Sequence, residues 1–385
     1  MPSKTKDAIN AFQIGMEWHP SGSGSGVGRM FHGLINYLPD QGIDVTGLVT
    51  GDPSSTDTPE NIHSFSPSST ALPVRLYRLH TCLREHCKKT SPELIASHFP
   101  LYSLSIPLLS RDVPFVYHFH GPWALESEAE GESALFTWLK HRMERIVYHR
   151  AQRFIVLSEA FKNVLVRQFG VPPERIRIVP GGVEVSRFNS SHPTEQARTR
   201  LGWPTDRPIV FSVRRLVRRV GLERLVHAMK HVVQRIPDVC LLIAGKGPLA
   251  PELEARIDAL NLAEHVELLG FIPDEDLPIA YRAADVSVVP TRSLEGFGLV
   301  AVESLAAGTP VLVTPVGGLP EVVRDLSPDL IMNGTSTEDI QNHLVDVLEG
   351  RITLPSAQAC HDFAASHYDW PLIARQVRSV YEEVL

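Results

Sequence analysis

Two glutamates eight residues apart enclose a pair of glycines: Glu295-Gly296-Phe297-Gly298-Leu299, then Val300-Ala301-Val302-Glu303. The stretch follows a β-branched run at 286–289, so it reads as a strand, a glycine turn and the start of a helix. Free backbone N–H groups and the positive end of the helix dipole at such a turn form an anion site that suits a phosphate. Glu295 then lies in the turn and Glu303 about one turn into the helix. Carboxylates beside a bound phosphate can accept hydrogen bonds from neutral hydroxyls, as on a ribose or a hexose. A second group, Arg214-Arg215-Leu216-Val217-Arg218-Arg219-Val220-Gly221, follows the run at 209–213. Guanidinium groups keep their charge and fork onto phosphate oxygens, which suits stabilising a departing diphosphate. His118 and His120 face one side of a run at 114–120, and His98 closes another at 94–98. A histidine at a strand end can bond a sugar hydroxyl or relay a proton, although His118 reads as readily as satisfied core. These histidines bring no Asp or Cys at ligand spacing and no His-Glu-x-x-His, so a site with no metal is expected.

The elements that must position these residues alternate along the whole chain. Short β-branched runs are separated by amphipathic stretches, the pattern of βαβ units around a parallel sheet, so the fold class is α/β. Strands are expected at 8–15, 45–49, 94–98, 114–120, 153–157 and 176–179, then at 209–213, 239–244, 266–269, 286–289, 311–313 and, weakly, 330–332. Two doubly wound sheets facing a cleft would put the residues after each strand at a binding site. The boundaries read as residues 1–188 for a first domain, 189–208 for a Pro-interrupted linker, 209–366 for a second domain and 367–385 for a terminal helix. Residues 51–73, rich in Ser, Thr, Pro and Asp, read as a surface loop.

A chain of 385 residues with 43% hydrophobic and 21% charged residues is ordinary globular usage in two domains. A net charge of −7, and arginines without interleaved aromatics, argue against nucleic acid. Cys82, Cys87, Cys240 and Cys360 are too scattered for a disulfide scaffold, which fits a reducing cytoplasm. No stretch of about 18 apolar residues occurs, so at most a peripheral association with the inner face of a membrane is expected. The run Ser21-Gly22-Ser23-Gly24-Ser25-Gly26-Val27-Gly28 matches neither Gly-x-Gly-x-x-Gly nor a Walker loop. It still leaves backbone amides open to phosphate or acceptor before a helix.

The Glu295-x7-Glu303 segment, with Glu303-Ser-Leu-Ala-Ala-Gly-Thr-Pro-Val and Gly317-Gly318-Leu-Pro-Glu321, resembles the donor-binding signature of retaining glycosyltransferases of family 4, which have the GT-B fold of two Rossmann-like domains. Pro180-Gly181-Gly182-Val183-Glu184, Ala244-Gly245-Lys246-Gly247-Pro248, Gly270-Phe271-Ile272 and Tyr281-x-x-Ala284-Asp285 stand at the family's intervals, so the resemblance covers most of the chain. It implies that Glu303 holds the nucleotide ribose and Glu295 the transferred sugar. Gly26, Gly245, Gly296, Phe297, Gly298 and Leu299 would line the donor, and Arg215 with Arg219 would take its diphosphate. His120 resembles the histidine that sits near the donor sugar, with His98 towards the acceptor, and the terminal helix would return to the first domain. Two positions depart from the pattern: Arg214 stands where Gly is usual, and Val220 where the phosphate-binding Lys is expected. Either Arg218 or Arg219 then supplies the charge.

The resemblance implies metal-independent transfer of a hexose-type sugar, with retention, from a nucleotide diphosphate sugar such as a UDP-sugar. The acceptor would be a saccharide, a lipid-linked molecule or a small metabolite, and His120, Arg215 and Glu295 would carry the catalysis. The nucleotide sugar is a co-substrate and no other cofactor is implied. A nucleotide-sugar epimerase of the same fold, and a catalytically weak sugar-nucleotide binding protein, the latter motivated by Val220, are the rival readings.

Overall fold

A computed structural model describes residues 8–18, 26–51, 59–106, 113–189 and 193–385. The chain divides into two compact units, one of residues 1–182 with Trp370–Leu385 and one of Val183–Asp369.

The first unit is built on a seven-stranded parallel sheet. Its strands are β1 (Ile9–Glu17), β2 (Ile43–Thr50), β3 (Ile62–Ser66), β4 (Leu94–Ser97), β5 (Phe115–Phe119), β6 (Arg153–Val156) and β7 (Ile176–Ile178), in the order β3-β2-β1-β4-β5-β6-β7. The central strands β4 and β5 are buried at every residue, as parallel strands covered by helices on both faces must be. One face of the sheet packs Phe12, Ile14, Ile95 and Tyr117 against Leu79 and Leu83 of helix Leu72–Thr90 and Val147 and Tyr148 of helix Ala134–Arg150. Helix Gly26–Tyr37 and the terminal helix Trp370–Glu382 also belong to this unit. Trp370 lies so close to Gly33 that a Cβ there would sit 1.9 Å from the indole, and one at Gly182 would sit 2.6 Å from it.

The second unit carries β8 (Ile209–Val213), β9 (Cys240–Ala244), β10 (Val266–Gly270), β11 (Val286–Val289) and β12 (Val311–Val313) in the order β10-β9-β8-β11-β12. In both units strand order reverses beside the first strand, with β4 joining the far side of β1 and β11 the far side of β8. That reversal is where ligands of open α/β sheets bind, beyond the carboxyl ends of the strands.

Three segments correct the sequence reading. Residues 51–73 hold strand β3, paired with β2 through Gly47 to Ile62 and Leu48 to His63, rather than loop alone. The expected linker 189–208 contains helix Thr194–Leu201, part of the second unit. Ala197 packs with Ile279 and Ala283, and Arg198 bonds Asp285 at 2.7 Å. The expected weak strand at 330–332 is reduced to a bridge between Ile331 and Val313.

Candidate functional site

In the second unit, chemistry-bearing side chains gather after β8 and β11. Strand β8 ends at Val213, and Arg214 directs its guanidinium across to the loop after β11. Its Nη2 lies 2.5 Å from Glu295 Oε2 and 3.2 Å from Thr291 Oγ1. Side-chain exposure is 10% for Arg214 and 13% for Glu295, so the pair is largely withdrawn from water. Burial by itself would raise the Glu295 carboxyl. The charges of Arg214 and Arg219 and the bonds from Arg214 and Thr291 outweigh it and hold the group below its ordinary value. Glu295 is therefore a stable carboxylate.

Neighbouring loops fix this pair from behind. Gly245 (φ +137°) lets the β9 loop touch Arg214, where a Cβ would fall 1.8 Å from the Arg214 carbonyl oxygen. Gly317 (φ +58°) does the same against the Glu295 carbonyl, again at 1.8 Å, and Gly318 N–H donates to that oxygen at 3.0 Å. Leu294 adopts φ +56°, a left-handed conformation uncommon for a leucine, immediately before Glu295. Its carbonyl accepts from Arg219 Nη1 at 3.1 Å.

Gly296, Phe297 and Gly298 then lead into helix Leu299–Ala306, with Gly298 at its N-cap in the left-handed region. Phe297 is buried edge-on against Tyr368 and so braces the turn from its core side. Glu303 is 5% exposed and accepts from Tyr281 Oη at 3.1 Å. The structure thus brings Glu295, Gly296, Phe297, Gly298, Leu299, Gly245 and Arg219 into one neighbourhood, with Glu303 on the following helix. Arg215 is exposed on its loop. Arg218 is committed elsewhere, 2.6 Å from Glu252 and 3.6 Å from Glu223, and Val220 is buried. Of the two arginines expected to replace the missing lysine, Arg219 is the one beside Glu295.

Arg214 is the site residue that sequence reasoning missed. It directly follows β8, and its guanidinium reaches Thr291 and Glu295 of the loop after β11. The Asp274-Glu275-Asp276 triplet has the Asp-x-Asp spacing associated with metals, which the sequence reading passed over. Its aspartates pair with Arg187 at 3.8 Å and Arg200 at 3.6 Å. Among the described residues no group of three or more His, Cys, Asp or Glu is arranged to hold a metal ion.

The first unit has a polar cluster of its own, drawn from the middle of β1, the residue after β4 and the end of β5. His98 Nδ1 is 2.9 Å from His120 Nε2, and His98 Nε2 is 2.8 Å from Gln13 Oε1. Gln13 Nε2 donates to Tyr381 Oη at 2.7 Å, and that hydroxyl lies 2.7 Å from His118 Nε2. The imidazole of His98 stacks on those of His118 and His120, with centroids 4.4 and 5.1 Å apart. Gln13, His98, His118 and Tyr381 are all at most 2% exposed, and His120 alone is partly open.

Burial, together with the neighbouring rings, pushes His98 well below its ordinary value, and it does the same to His118. Burial lowers His120 to about 4. All three are neutral near neutrality. His98 has both ring nitrogens engaged, so it reaches a ligand only through His120. Gly26 begins helix Gly26–Tyr37, while residues 21–25 of the glycine-serine run lie outside the described residues. His120 is followed by helix Trp123–Ala129, whose N-terminus is capped by Glu144 from helix Ala134–Arg150. Glu144 accepts from Trp123 N–H at 2.8 Å and Ala124 N–H at 3.3 Å.

Comparison with known proteins shows the family and the fold. The family model described as Glycosyltransferase Family 4 matches residues 24–187, and that described as Glycosyl transferases group 1 matches residues 193–367. The chain is 31% identical over 342 residues to the D-inositol 3-phosphate glycosyltransferase of Corynebacterium kroppenstedtii, covering 83% of this chain and 73% of the relative. It is 33% identical over 222 residues to the GDP-mannose-dependent alpha-(1-6)-phosphatidylinositol monomannoside mannosyltransferase of Mycolicibacterium smegmatis, covering 56% and 58% of the two chains. Among solved structures, sucrose-phosphate synthase from Thermosynechococcus elongatus superposes with a TM-score of 0.81 at 24% identity over 97% of this chain and 98% of that one. The Anabaena protein HepE, solved with UDP and glucose, superposes at 0.78 with 19% identity over 97% and 100%.

Proposed function

Because the chain belongs to glycosyltransferase family 4 and is a glycosyltransferase of the GT-B type, we propose that it moves a hexose-type sugar, without a metal ion and with retention, from a nucleotide diphosphate sugar to a hydroxyl acceptor. The observation that carries this reading is the buried Arg214–Glu295 pair on the glycine turn, with Arg219 beside it and Glu303 on the helix that follows. In this assignment the N–H groups at Gly296–Leu299 and the arginines receive the diphosphate, Glu303 the ribose and Glu295 the sugar. The C1–O bond breaks with its electron pair leaving on the nucleotide diphosphate. The acceptor oxygen bonds C1 on the same face, and its proton passes to the departing phosphate oxygen. Charge on that phosphate is offset by Arg215 and Arg219, whose guanidinium groups stay charged throughout. In the first unit His120 accepts from a sugar hydroxyl.

A second observation favours an acceptor at a membrane surface. Helix Ala134–Arg150 leaves Leu135, Phe136, Trp138, Leu139 and Ile146 in solvent beside exposed Arg142 and Arg145, and its single acid, Glu144, is buried. An apolar and basic outer face fits the interface of an anionic bilayer. No helix among the described residues is long and apolar enough to cross one.

The test is a thermal-shift series with UDP, GDP, ADP and their sugars, followed by mass spectrometry of products formed with D-inositol 3-phosphate or a lipid extract as acceptor. A ligand that binds only the folded state raises the melting temperature in proportion to ln(1 + [L]/Kd). Stabilisation by one nucleotide class, an α-linked product from an α-linked donor, and an unchanged rate in EDTA are expected. Epimerised donor formed without acceptor would favour the epimerase, and binding with no product from any acceptor would favour the binding protein.

A further inference from the structure

The five polar side chains in the first unit form one unbranched chain, His118–Tyr381–Gln13–His98–His120, with contacts of 2.7, 2.7, 2.8 and 2.9 Å. A neutral imidazole offers one donor and one acceptor nitrogen, and a primary amide has one end of each kind. Each member therefore fixes the direction of the next bond. A pattern in which Tyr381 accepts from both neighbours would strand its own buried proton, so two patterns leave no donor unmade, and they interconvert by turning the Gln13 amide over.

With Gln13 Nε2 donating to Tyr381, the hydroxyl proton of Tyr381 goes to His118 Nε2, and Gln13 Oε1 accepts from His98 Nε2–H. His98 Nδ1 is then bare and must accept from His120 Nε2–H. His120 thereby carries its proton on Nε2 and offers Nδ1 as an acceptor. The opposite pattern would put the His120 proton on Nδ1 and make that nitrogen a donor. The interior of this chain is closed to water, since Gln13 and Tyr381 are 0% exposed and His98 and His118 2%. Buried polar groups in such a place carry a large penalty for any unmade bond, so the pattern holds as a unit.

We propose that Gln13 and Tyr381 are positioning residues for His120, holding it through His98 as the Nε2–H tautomer so that Nδ1 accepts from a hydroxyl of the bound sugar. The inference rests on the reading above that His120 touches substrate. It gives the terminal helix a part in the site beyond packing, because Tyr381 sits near the end of Trp370–Glu382. It also separates the three histidines: His118 and His98 transmit direction, and His120 delivers it. An imidazole that titrates near pH 4 is a poor proton acceptor at neutrality, so it orients a hydroxyl rather than deprotonating it.

The experiment is long-range proton–nitrogen correlation on the full chain labelled with 15N-histidine, read without substrate and assigned with His98→Gln, His118→Gln and His120→Gln. Wild type should show His98 and His120 protonated on Nε2 and His118 on Nδ1. Tyr381→Phe keeps the ring and removes the hydroxyl, and Gln13→Met serves as the second variant. Each should turn the single His120 tautomer into a mixture. Nucleotide release from UDP-glucose or GDP-mannose with D-inositol 3-phosphate should fall up to about tenfold, the worth of one hydrogen bond, with donor KM changed less than twofold. A wild-type His120 protonated on Nδ1, or variants that leave its tautomer single and unchanged, would overturn the proposal. Undiminished transfer by His120→Ala would overturn the site reading beneath it, and the two failures are distinct because the nitrogen signals need no substrate.

Discussion

Replacing Arg214 by Met keeps most of the side chain's apolar length and removes its charge. Glu295 would then remain a largely buried carboxylate held by Thr291 at 3.3 Å and by the charge of Arg219. Breaking a buried ion pair from one side costs about 3–5 kcal/mol, because the survivor keeps its desolvation penalty. The remaining partners put this case near the low end, about 3 kcal/mol. For a unit of this size that is a drop of about 6–12 °C in melting temperature. Adding Glu295→Gln removes the stranded charge, so the double variant should return to within about 1 kcal/mol of wild type. The sign with pH follows from the same pair. In wild type the Glu295 carboxyl is depressed, so its contribution is present above the ordinary carboxylate range and lost as pH falls. In Arg214→Met burial raises the group instead, so the deficit should shrink on acidification as Glu295 takes a proton. Differential scanning calorimetry of the full chain, following the transition that nucleotide shifts, measures all three. A single variant within 2 °C of wild type, or a double variant as unstable as the single, would refute the argument.

Glu303→Ala should weaken nucleotide binding about tenfold with little effect on the fold of the first unit, read by isothermal titration with UDP and GDP. Gly317→Ala places a Cβ against the Glu295 carbonyl at a positive φ, so transfer should be lost along with several degrees of melting temperature. Burial raises Glu144 to about 7 despite its bonds from Tyr148, Ala124 and Trp123. Its contribution to stability is complete below the ordinary carboxylate value and disappears as pH climbs through 7. Between pH 6.5 and 8, where the histidine cluster is already neutral, wild type should lose about 1 kcal/mol that Glu144→Gln does not; equal slopes in calorimetry would count against the assignment.

Strands with dense β-branched runs were readable to the residue, as at Ile209–Val213, Val286–Val289 and Val311–Val313. Strand β3 was not, because Ile62-His63-Ser64-Phe65-Ser66 offers only two apolar residues inside a Pro- and Ser-rich stretch. Its hydrogen bonds come from β2, which local composition does not report. Helix Thr194–Leu201 was hidden by its own punctuation. Pro193 at the N-cap and Gly202 after the last turn are helix boundaries, yet together with Pro204 and Pro208 they resembled a linker. In the candidate site the acidic pair and glycine turn were legible from spacing. The partner of Glu295 was not, since pattern matching pointed to Arg215 while in the fold it is Arg214 that reaches it. The polar chain was beyond reach for a different reason: Gln13, His98 and Tyr381 are distant in sequence, and only the fold makes them neighbours.

The split of the first unit has a consequence for how this molecule is made. Residues 1–182 precede the second unit in the chain, but the wall that covers Gly33 and Gly182 and the hydroxyl that completes the histidine chain belong to Trp370–Leu385, which follows it. The second unit is thus an insertion between the two parts of the first, and the polar chain is closed only when both parts are present. A fragment ending at residue 182 is accordingly the wrong object for dissecting the first unit, whereas a circular permutant that begins at Trp370 and runs directly into the N-terminal strand would supply both parts before the insertion emerges.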